Sequence, residues 1–439
     1  VDGGSGVVTV RYGDGTAAET LPSAGAGRQY GIALVSGDFD GDGYGDLAVG
    51  DPTVGPAGAG VVRVLHGGAS GLLGPDGSPV AATRLHQGTA GMPGADETGD
   101  SFGAWLATGD LNADGFDDLV VGAPGEELEG ARSAGAVTVV LGGHRGLDPL
   151  RAAAYGQDTP GIAGTSEAED FFGAGLAVGD VTGDGRDDVV VGAFGENRQG
   201  GAVHVLPGGS GLPRAQDSTA VGAGMLGLPT GSALGWTVAV GDVTGDGRAE
   251  VVVGAPAARV GGRDCGAVAV LSGTARGIGR RGVRLLSQSS RNVYGVCESG
   301  DAWGHAVAAG DLTGDGRAEV VVGAPGEGFG HAPEVGGYTV LRWSATGVRS
   351  VGVSRGTAEV PGAAAASDRF GTALALHDLD GDDRADVVVS APGSRLDGEV
   401  TGWVGLLPST SSGRPATSST SLAPAATLRD LRGLGVALG

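Results

Sequence analysis

Phe102-Gly-Ala-Trp-Leu-Ala-Thr-Gly-Asp110-Leu-Asn-Ala-Asp114-Gly-Phe-Asp-Asp118-Leu-Val-Val-Gly-Ala-Pro124 joins a small-residue strand, an acidic loop and an almost unbroken apolar strand. An apolar run as short as Leu119-Val-Val, bounded by turn residues, reads as a strand buried on both faces. The arrangement recurs. Its leading aspartates are Asp38, Asp110, Asp180, Asp242, Asp311 and Asp378, spaced 62 to 72 residues apart. A period of that size marks stacked or radially arranged units.

Outward from this core, each repeat continues into an alternating third strand, as in Ala136-Val-Thr-Val-Val-Leu141 and Gly201-Ala-Val-His-Val-Leu206. A Gly-Gly or Ser-Gly turn then leads to a more polar fourth strand such as Ala81 to His86. Four-stranded antiparallel units repeated around a circle leave only short, protected edges. The sequence therefore predicts an all-β, seven-bladed β-propeller over residues 1–439, with repeats near 30–98, 99–168, 169–230, 231–299, 300–366 and 367–430. Residues 1–29 and 431–439 form the composite seventh blade: Gly6 to Tyr12 resembles a third strand, and Leu434-Gly-Val-Ala-Leu438 a first strand. A linear β-solenoid is the competing architecture, but its repeats are usually shorter.

Composition agrees. The 92 glycines suit many tight turns, and the 40% hydrophobic share is too high for a disordered chain. A net charge of −23 argues against nucleic acid, whose binding requires cations to neutralise phosphates. All 28 basic residues are arginine. No apolar run approaches the ~20 residues needed to span a bilayer. The chain opens at Val1 without a signal-like segment, as expected of a processed, secreted protein or of a piece trimmed from a longer one.

The pairing of Phe102-Gly103 with Gly122-Ala123-Pro124 around an acidic loop resembles the FG-GAP repeat of integrin α-subunit propellers. It recurs as Phe172-Gly173 with Gly192-Ala193-Phe194, and as Trp303-Gly304 with Gly323-Ala324-Pro325. Leu234-Gly235 pairs likewise with Gly254-Ala255-Pro256, Phe370-Gly371 with Ser390-Ala391-Pro392, and Tyr30-Gly31 with Gly50-Asp51-Pro52. The resemblance implies calcium loops on one face of a propeller and ligand-binding loops on the other, without naming a ligand.

The acidic loops follow Asp-x-[Asp/Asn/Thr]-x-Asp-Gly-x-x-[Asp/Glu], a spacing that converges side chains from positions 1, 3, 5 and 9 with the carbonyl of position 7. Such an all-oxygen set suits Ca²⁺, which takes six to eight oxygens at flexible geometry. The expected ligands are Asp38, Asp40, Asp42, Tyr44 and Asp46; Asp110, Asn112, Asp114, Phe116 and Asp118; and Asp180, Thr182, Asp184, Arg186 and Asp188. The other three loops give Asp242, Thr244, Asp246, Arg248 and Glu250; Asp311, Thr313, Asp315, Arg317 and Glu319; and Asp378, Asp380, Asp382, Arg384 and Asp386. In the last loop Asp383 stands where the others have glycine. An EF-hand would need a glutamate at position 12 and flanking helices; here position 9 runs directly into a strand. Twenty ligand carboxylates account for most of the net charge.

No His-Glu-x-x-His motif occurs, and Gly208-Gly-Ser-Gly211 reads as a hairpin turn. His204, His305 and His377 are read as structural, and Trp105, Trp236 and Trp303 as wedges between blades. Cys265 and Cys297, the only cysteines, are expected to form a disulfide in an oxidising compartment. The functional expectation is a secreted, monomeric, calcium-binding adhesion or interaction module. Its protein or glycan ligand would meet loops around Glu126–Ser133, Arg259–Asp264, Arg291–Ser299 and Phe329–Val335. The alternative is a hydrolase, or the non-catalytic propeller of one.

Overall fold

The computed structural model describes residues 6–11, 18–21, 29–73, 78–79, 81–328, 332–344, 347–396 and 399–422. Six four-stranded antiparallel sheets, the blades of a β-propeller fold, run in simple chain order. Blade 1 comprises Leu34–Gly37, Asp46–Asp51, Val61–His66 and Ala81–Leu85. The first strands of blades 2 to 6 are Trp105–Gly109, Gly175–Gly179, Thr237–Gly241, Val307–Gly310 and Leu374–His377. The second strands, Asp118–Ala123, Asp188–Ala193, Glu250–Ala255, Glu319–Ala324 and Asp386–Ala391, are buried at every residue, as their continuous apolar character predicts.

The chain divides into two compact units. One holds blades 1 and 2 and most of blade 3, to Glu196 with His204–Ala220; the other holds Asn197–Val203 and, from Val221 onward, blades 4 to 6. Within each unit the same device joins consecutive blades. The aromatic or leucine of each FG-type pair does not begin the first strand, as the sequence alone implied. Instead its N–H donates to a carbonyl just before the third strand of the preceding blade: Phe102 to Ala59 at 2.8 Å, Phe172 to Ala134 at 2.9 Å, Trp303 to Cys265 at 2.9 Å and Phe370 to Val335 at 3.0 Å. Its side chain is wholly buried among valines of both blades, as with Phe172 against Val137, Val139, Val189 and Val191. The following glycine, at a φ near the 85° of Gly103, turns the chain into the first strand.

The glycine of the GAP segment has a second role. A Cβ on Gly122 would lie 2.4 Å from the carbonyl oxygen of Gly173 in the next blade, and one on Gly323 would lie 2.1 Å from that of Gly371. Backbone meets backbone there, and no side chain fits. Trp303 is buried at such a junction, and its indole N–H donates to Thr339 Oγ1 at 3.4 Å. Trp105 and Trp236 sit three and two residues into their segments, past the FG-type anchor, and stay 39% and 38% exposed; Trp105 thus corrects the expectation of a buried wedge, while the ring of Trp236 still meets His305 of the next blade, 5.8 Å between centroids.

At the N-terminal end Thr9–Val10 pairs with Glu19–Thr20, and Val8 and Leu21 pack with Tyr30, Val49 and Leu65 of blade 1. The expected C-terminal contribution at residues 434–438 lies outside the described residues. Cys265 and Cys297 are joined as a disulfide with 5.3 Å between their Cα atoms, linking the loop before the third strand of blade 4 to the connection into blade 5.

Two outcomes are expected in urea unfolding. Gly323→Ala should cost about 1–3 kcal/mol through overpacking, whereas Gly211→Ala, with nothing within 4 Å of its Cβ position, should stay within about 0.5 kcal/mol of the parent. Replacing both cysteines by alanine opens a 32-residue closure and should remove about 3–4 kcal/mol on the loop-entropy model; an unchanged midpoint and slope would contradict this.

Candidate functional site

Each acidic loop is organised by its own first aspartate. Asp38 Oδ1 accepts from the N–H groups of Gly41 at 2.7 Å and Asp42 at 3.1 Å, while its Oδ2 accepts from Gly43 at 3.0 Å. The same set recurs at Asp180, Asp242, Asp311 and Asp378. The fold of the loop requires positive φ at positions 4 and 6. Position 4, to which the sequence reading gave no weight, is glycine in five loops and Ala113, at φ 58°, in the second. Asp383, in the glycine place at position 6, adopts φ 64°, and its N–H still reaches Asp378 at 2.9 Å.

Position 9 is buried and ties the loop to the sheet. Asp118 is fully buried; its two oxygens accept from Leu111 N–H at 3.0 Å and from Gly142 N–H, at the end of the third strand, at 2.8 Å. Asp46 does the same with Phe39 and Gly67, and Asp386 with Leu379 and Ser409. The longer Glu250 and Glu319 reach the loop N–H groups of Val243 and Leu312. Burial, with the charges of Asp114 and Asp110 adding to it, pushes the Asp118 carboxyl up to about 7.

The structure brings carboxylate oxygens of Asp38, Asp40 and Asp42 within 4.8 Å of one another, and likewise those of Asp378, Asp380 and Asp382. In the other four loops Asn or Thr replaces the third carboxylate. Thr182, Thr244 and Thr313 turn their hydroxyls to the position-9 carboxylate at 3.5, 3.3 and 3.3 Å. The amide of Asn112 is buried with neither polar atom partnered, leaving an oxygen with unused acceptor capacity beside Asp110 and Asp114. The position-7 residues Tyr44, Phe116, Arg186, Arg248, Arg317 and Arg384 donate their N–H to the position-5 aspartate. A hard, oxygen-only donor set with three or four carboxylates fits a divalent cation such as calcium.

Several groups at the loops carried no ligand-like signal in the sequence. Asp117 accepts from Asp38 N–H of the preceding blade at 2.8 Å, and Asp187 from Asp110 N–H at 3.1 Å. His66 stands 3.3 Å from Asp46 and 3.8 Å from Asp40. The Asp46 carboxylate beside it raises the imidazole pKa against the opposing effect of burial. Arginines also reach position 5: Arg151 lies 3.6 Å from Asp114, Arg342 2.7 Å from Asp315, and Arg384 contacts Asp382. His66 and Arg342 sit on third strands and Arg151 on a fourth, at spacings that a motif confined to nine residues does not contain, whereas Asp117 and Asp187 at position 8 and Arg384 at position 7 lie inside the loops.

A second titratable network lies at the blade junctions. Gln87 donates its amide to Glu126, Gln157 to Glu196 and Gln288 to Glu327, each pair 39 residues apart, beside Asp100, Asp170 and Asp301. At the same 39-residue offset, blade 6 substitutes Arg355 and Ser394, which join Asp368. Burial pushes Glu126, Asp170 and Glu327 up to about 7, and Asp100 and Asp301 up to about 6. His204 is held neutral in the opposite sense: burial lowers it to about 4, against the edge of Phe172.

With this geometry in view, the FG-GAP repeat family model matches residues 30–65, 102–140, 172–206, 234–271, 303–340 and 370–404, and the chain belongs to that family. Among curated proteins it is 33% identical over 168 residues to phosphatidylinositol-glycan-specific phospholipase D of Rattus norvegicus, covering 37% of this chain and 20% of that one. It is 32% identical over 242 residues to integrin alpha pat-2 of Caenorhabditis briggsae, covering 51% of this chain and 18% of that one. The matched region is thus about a fifth of the length of either relative. A solved rhamnogalacturonan lyase of Bacillus licheniformis superposes over 88% of this chain and 73% of its own, at 12% identity and a TM-score of 0.37.

The junction acids set a pH dependence. A carboxyl whose folded pKa lies above its unfolded value binds more protons when folded, so folding stability falls as pH rises between the two values. In excess calcium, the melting temperature should fall between pH 5 and pH 8. Glu126→Gln and Glu327→Gln together should flatten that slope; an unaltered slope would remove these acids as its source.

Proposed function

We propose that this chain is a calcium-stabilised, extracellular β-propeller that serves as a binding or interaction module. Six copies of one acidic loop, each built to the same hydrogen-bond plan, carry this reading. Asp38, Asp40, Asp42 and their counterparts would hold the ion, which supplies the positive charge that three or four clustered carboxylates lack. The first-position aspartate already orders the loop backbone, and the buried ninth position anchors it to the sheet. In this reading the termini complete a seventh blade. Partner contacts fall on loops away from the acidic ones, at residues 126–133, 259–264, 291–299 and 329–335, of which 329–331 lie outside the described residues. Among the described residues no helix is long and apolar enough to cross a membrane, which is compatible with a secreted protein.

The likeness to part of a phospholipase D supports a second reading, in which the chain is a hydrolase or the non-catalytic propeller of a secreted one. Assays on phosphodiester and carboxylic ester substrates separate the two: turnover by the purified chain would favour the hydrolase.

Calcium binding to the folded state adds stability as RT ln(1 + [L]/Kd) per site. Chelation should therefore lower the melting temperature by roughly ten degrees or more, on a scale of about 2–4 °C per kcal/mol. Asp40→Ala, which removes one of four carboxylates, should weaken calcium binding more than Thr244→Ala. A melt indifferent to verified metal removal would sink the calcium reading, and the reverse order of the two variants in site-resolved titrations would sink the ligand ranking.

A further inference from the structure

Arginine is unevenly distributed in this acidic chain. Between Ser272 and Tyr294 lie Arg276, Arg280, Arg281, Arg284 and Arg291, with no acidic residue. All five are exposed. Among the described residues neither they nor Arg349, on the outer strand of blade 5, form an ion pair, whereas the adjacent Arg342 is taken by Asp315 and Glu319. Such unpaired cations are in surplus.

Three of them, Arg284, Arg291 and Arg349, stand at a cleft. The connection leaving blade 4 crosses onto the outer strand of blade 5, where Tyr294 N–H donates to Ser350 Oγ at 2.7 Å and Ser350 Oγ–H donates to Asn292 O at 2.8 Å. Arg291, Asn292, Val348, Arg349 and Ser350 line an open cleft of about 590 Å³. Arg284 lies over the ring of Trp343, 5.8 Å from its centroid, and Trp343 is the cross-strand partner of Val348. The indole N–H of Trp343 is buried without an acceptor. Tyr294 is 50% exposed, and its ring lies against Gly352, where a Cβ would come within 2.0 Å of it.

We propose that this cleft binds a strand of acidic polysaccharide, with Arg284, Arg291 and Arg349 holding its carboxylate or sulfate groups. The inference rests on the binding-module reading and gives that module a ligand class. Guanidinium groups pair with such oxyanions through charge-assisted, frequently bidentate hydrogen bonds. The half-exposed Tyr294 offers a face to a sugar ring. A duplex or a bilayer would bring a broad anionic front against a chain of net charge −23. A single thin strand meets mainly the charges within a Debye length, about 8 Å in physiological salt.

The test is titration calorimetry of the full chain in saturating calcium and physiological salt. The probes are hyaluronate octasaccharide (carboxylate only), chondroitin sulfate octasaccharide (carboxylate and sulfate), neutral dextran, a short single-stranded DNA, and phosphatidylserine vesicles. Binding of at least one acidic oligosaccharide is expected, with none of dextran. The triple variant Arg284→Ser/Arg291→Ser/Arg349→Ser should weaken it about tenfold or more and shallow its salt dependence. Arg84→Ser/Arg145→Ser/Arg198→Ser, with the same change in charge elsewhere, should leave it unchanged.

Equal loss in both triple variants overturns the site. Preferential binding of DNA or vesicles overturns the ligand class. Failure of the parent to bind either oligosaccharide overturns the proposal, and a calcium-dependent melt of that same sample leaves the calcium-stabilised module standing.

Discussion

Consecutive blades within each compact unit are held at the distance of a bare backbone. Gly122 against Gly173 and Gly323 against Gly371 leave no room for a Cβ. Hydrogen bonds from Phe102, Phe172, Trp303 and Phe370 to the preceding blade fix the register of that approach. Once the backbones are this close, the aromatic side chain has one place to go, between valine-rich strands of two blades, and the second strands become dry on both faces. The sequence motif is thus the trace of a packing distance. It is shared by blades whose loops otherwise differ, because no larger residue satisfies it.

The acidic loops depend on that scaffold in a different way. Each first aspartate is satisfied by N–H groups of its own loop, so the turn can be written by nine residues alone. The ninth carboxylate is satisfied partly from the end of the third strand, about twenty residues on, and so couples loop to blade. Adjacent loops within a unit also touch, through Asp117 N–H to Asp38 O at 3.1 Å and Ala385 N–H to Asp311 O at 2.7 Å. A cation bound at one loop would therefore act on the geometry of the next through a hydrogen bond, without any change in the core.

Where the motif does not dictate the residue, the repeats diverge, and chemistry enters. The blade junction tolerates a Gln–Glu pair in three places and an Arg–Ser pair in a fourth, because both exchanges conserve a buried polar contact beside an aspartate. The outer strands of blades 4 and 5 face no such constraint and carry the unpaired arginines and the cleft beside Tyr294. Function in a repeat fold is concentrated in these departures from the repeat, as expected when the common residues are committed to packing.

The sequence by itself determined the repeat, its four-stranded unit, the second strands as buried on both faces, and the first, third, fifth and ninth positions of every acidic loop. These are local: strand periodicity, turn glycines and carboxylate spacing act within a few residues. Tertiary structure alone decided that the FG aromatic belongs to a junction and not to the first strand, that Trp105 and Trp236 stay partly exposed while Trp303 is enclosed, and that His66, Asp117 and Arg342 reach the acidic loops. It also decided the pairing of Gln87 with Glu126 and the meeting of Arg291 with Arg349. Such contacts join residues tens of positions apart, across sheets or between blades, and only the packed backbone brings them together.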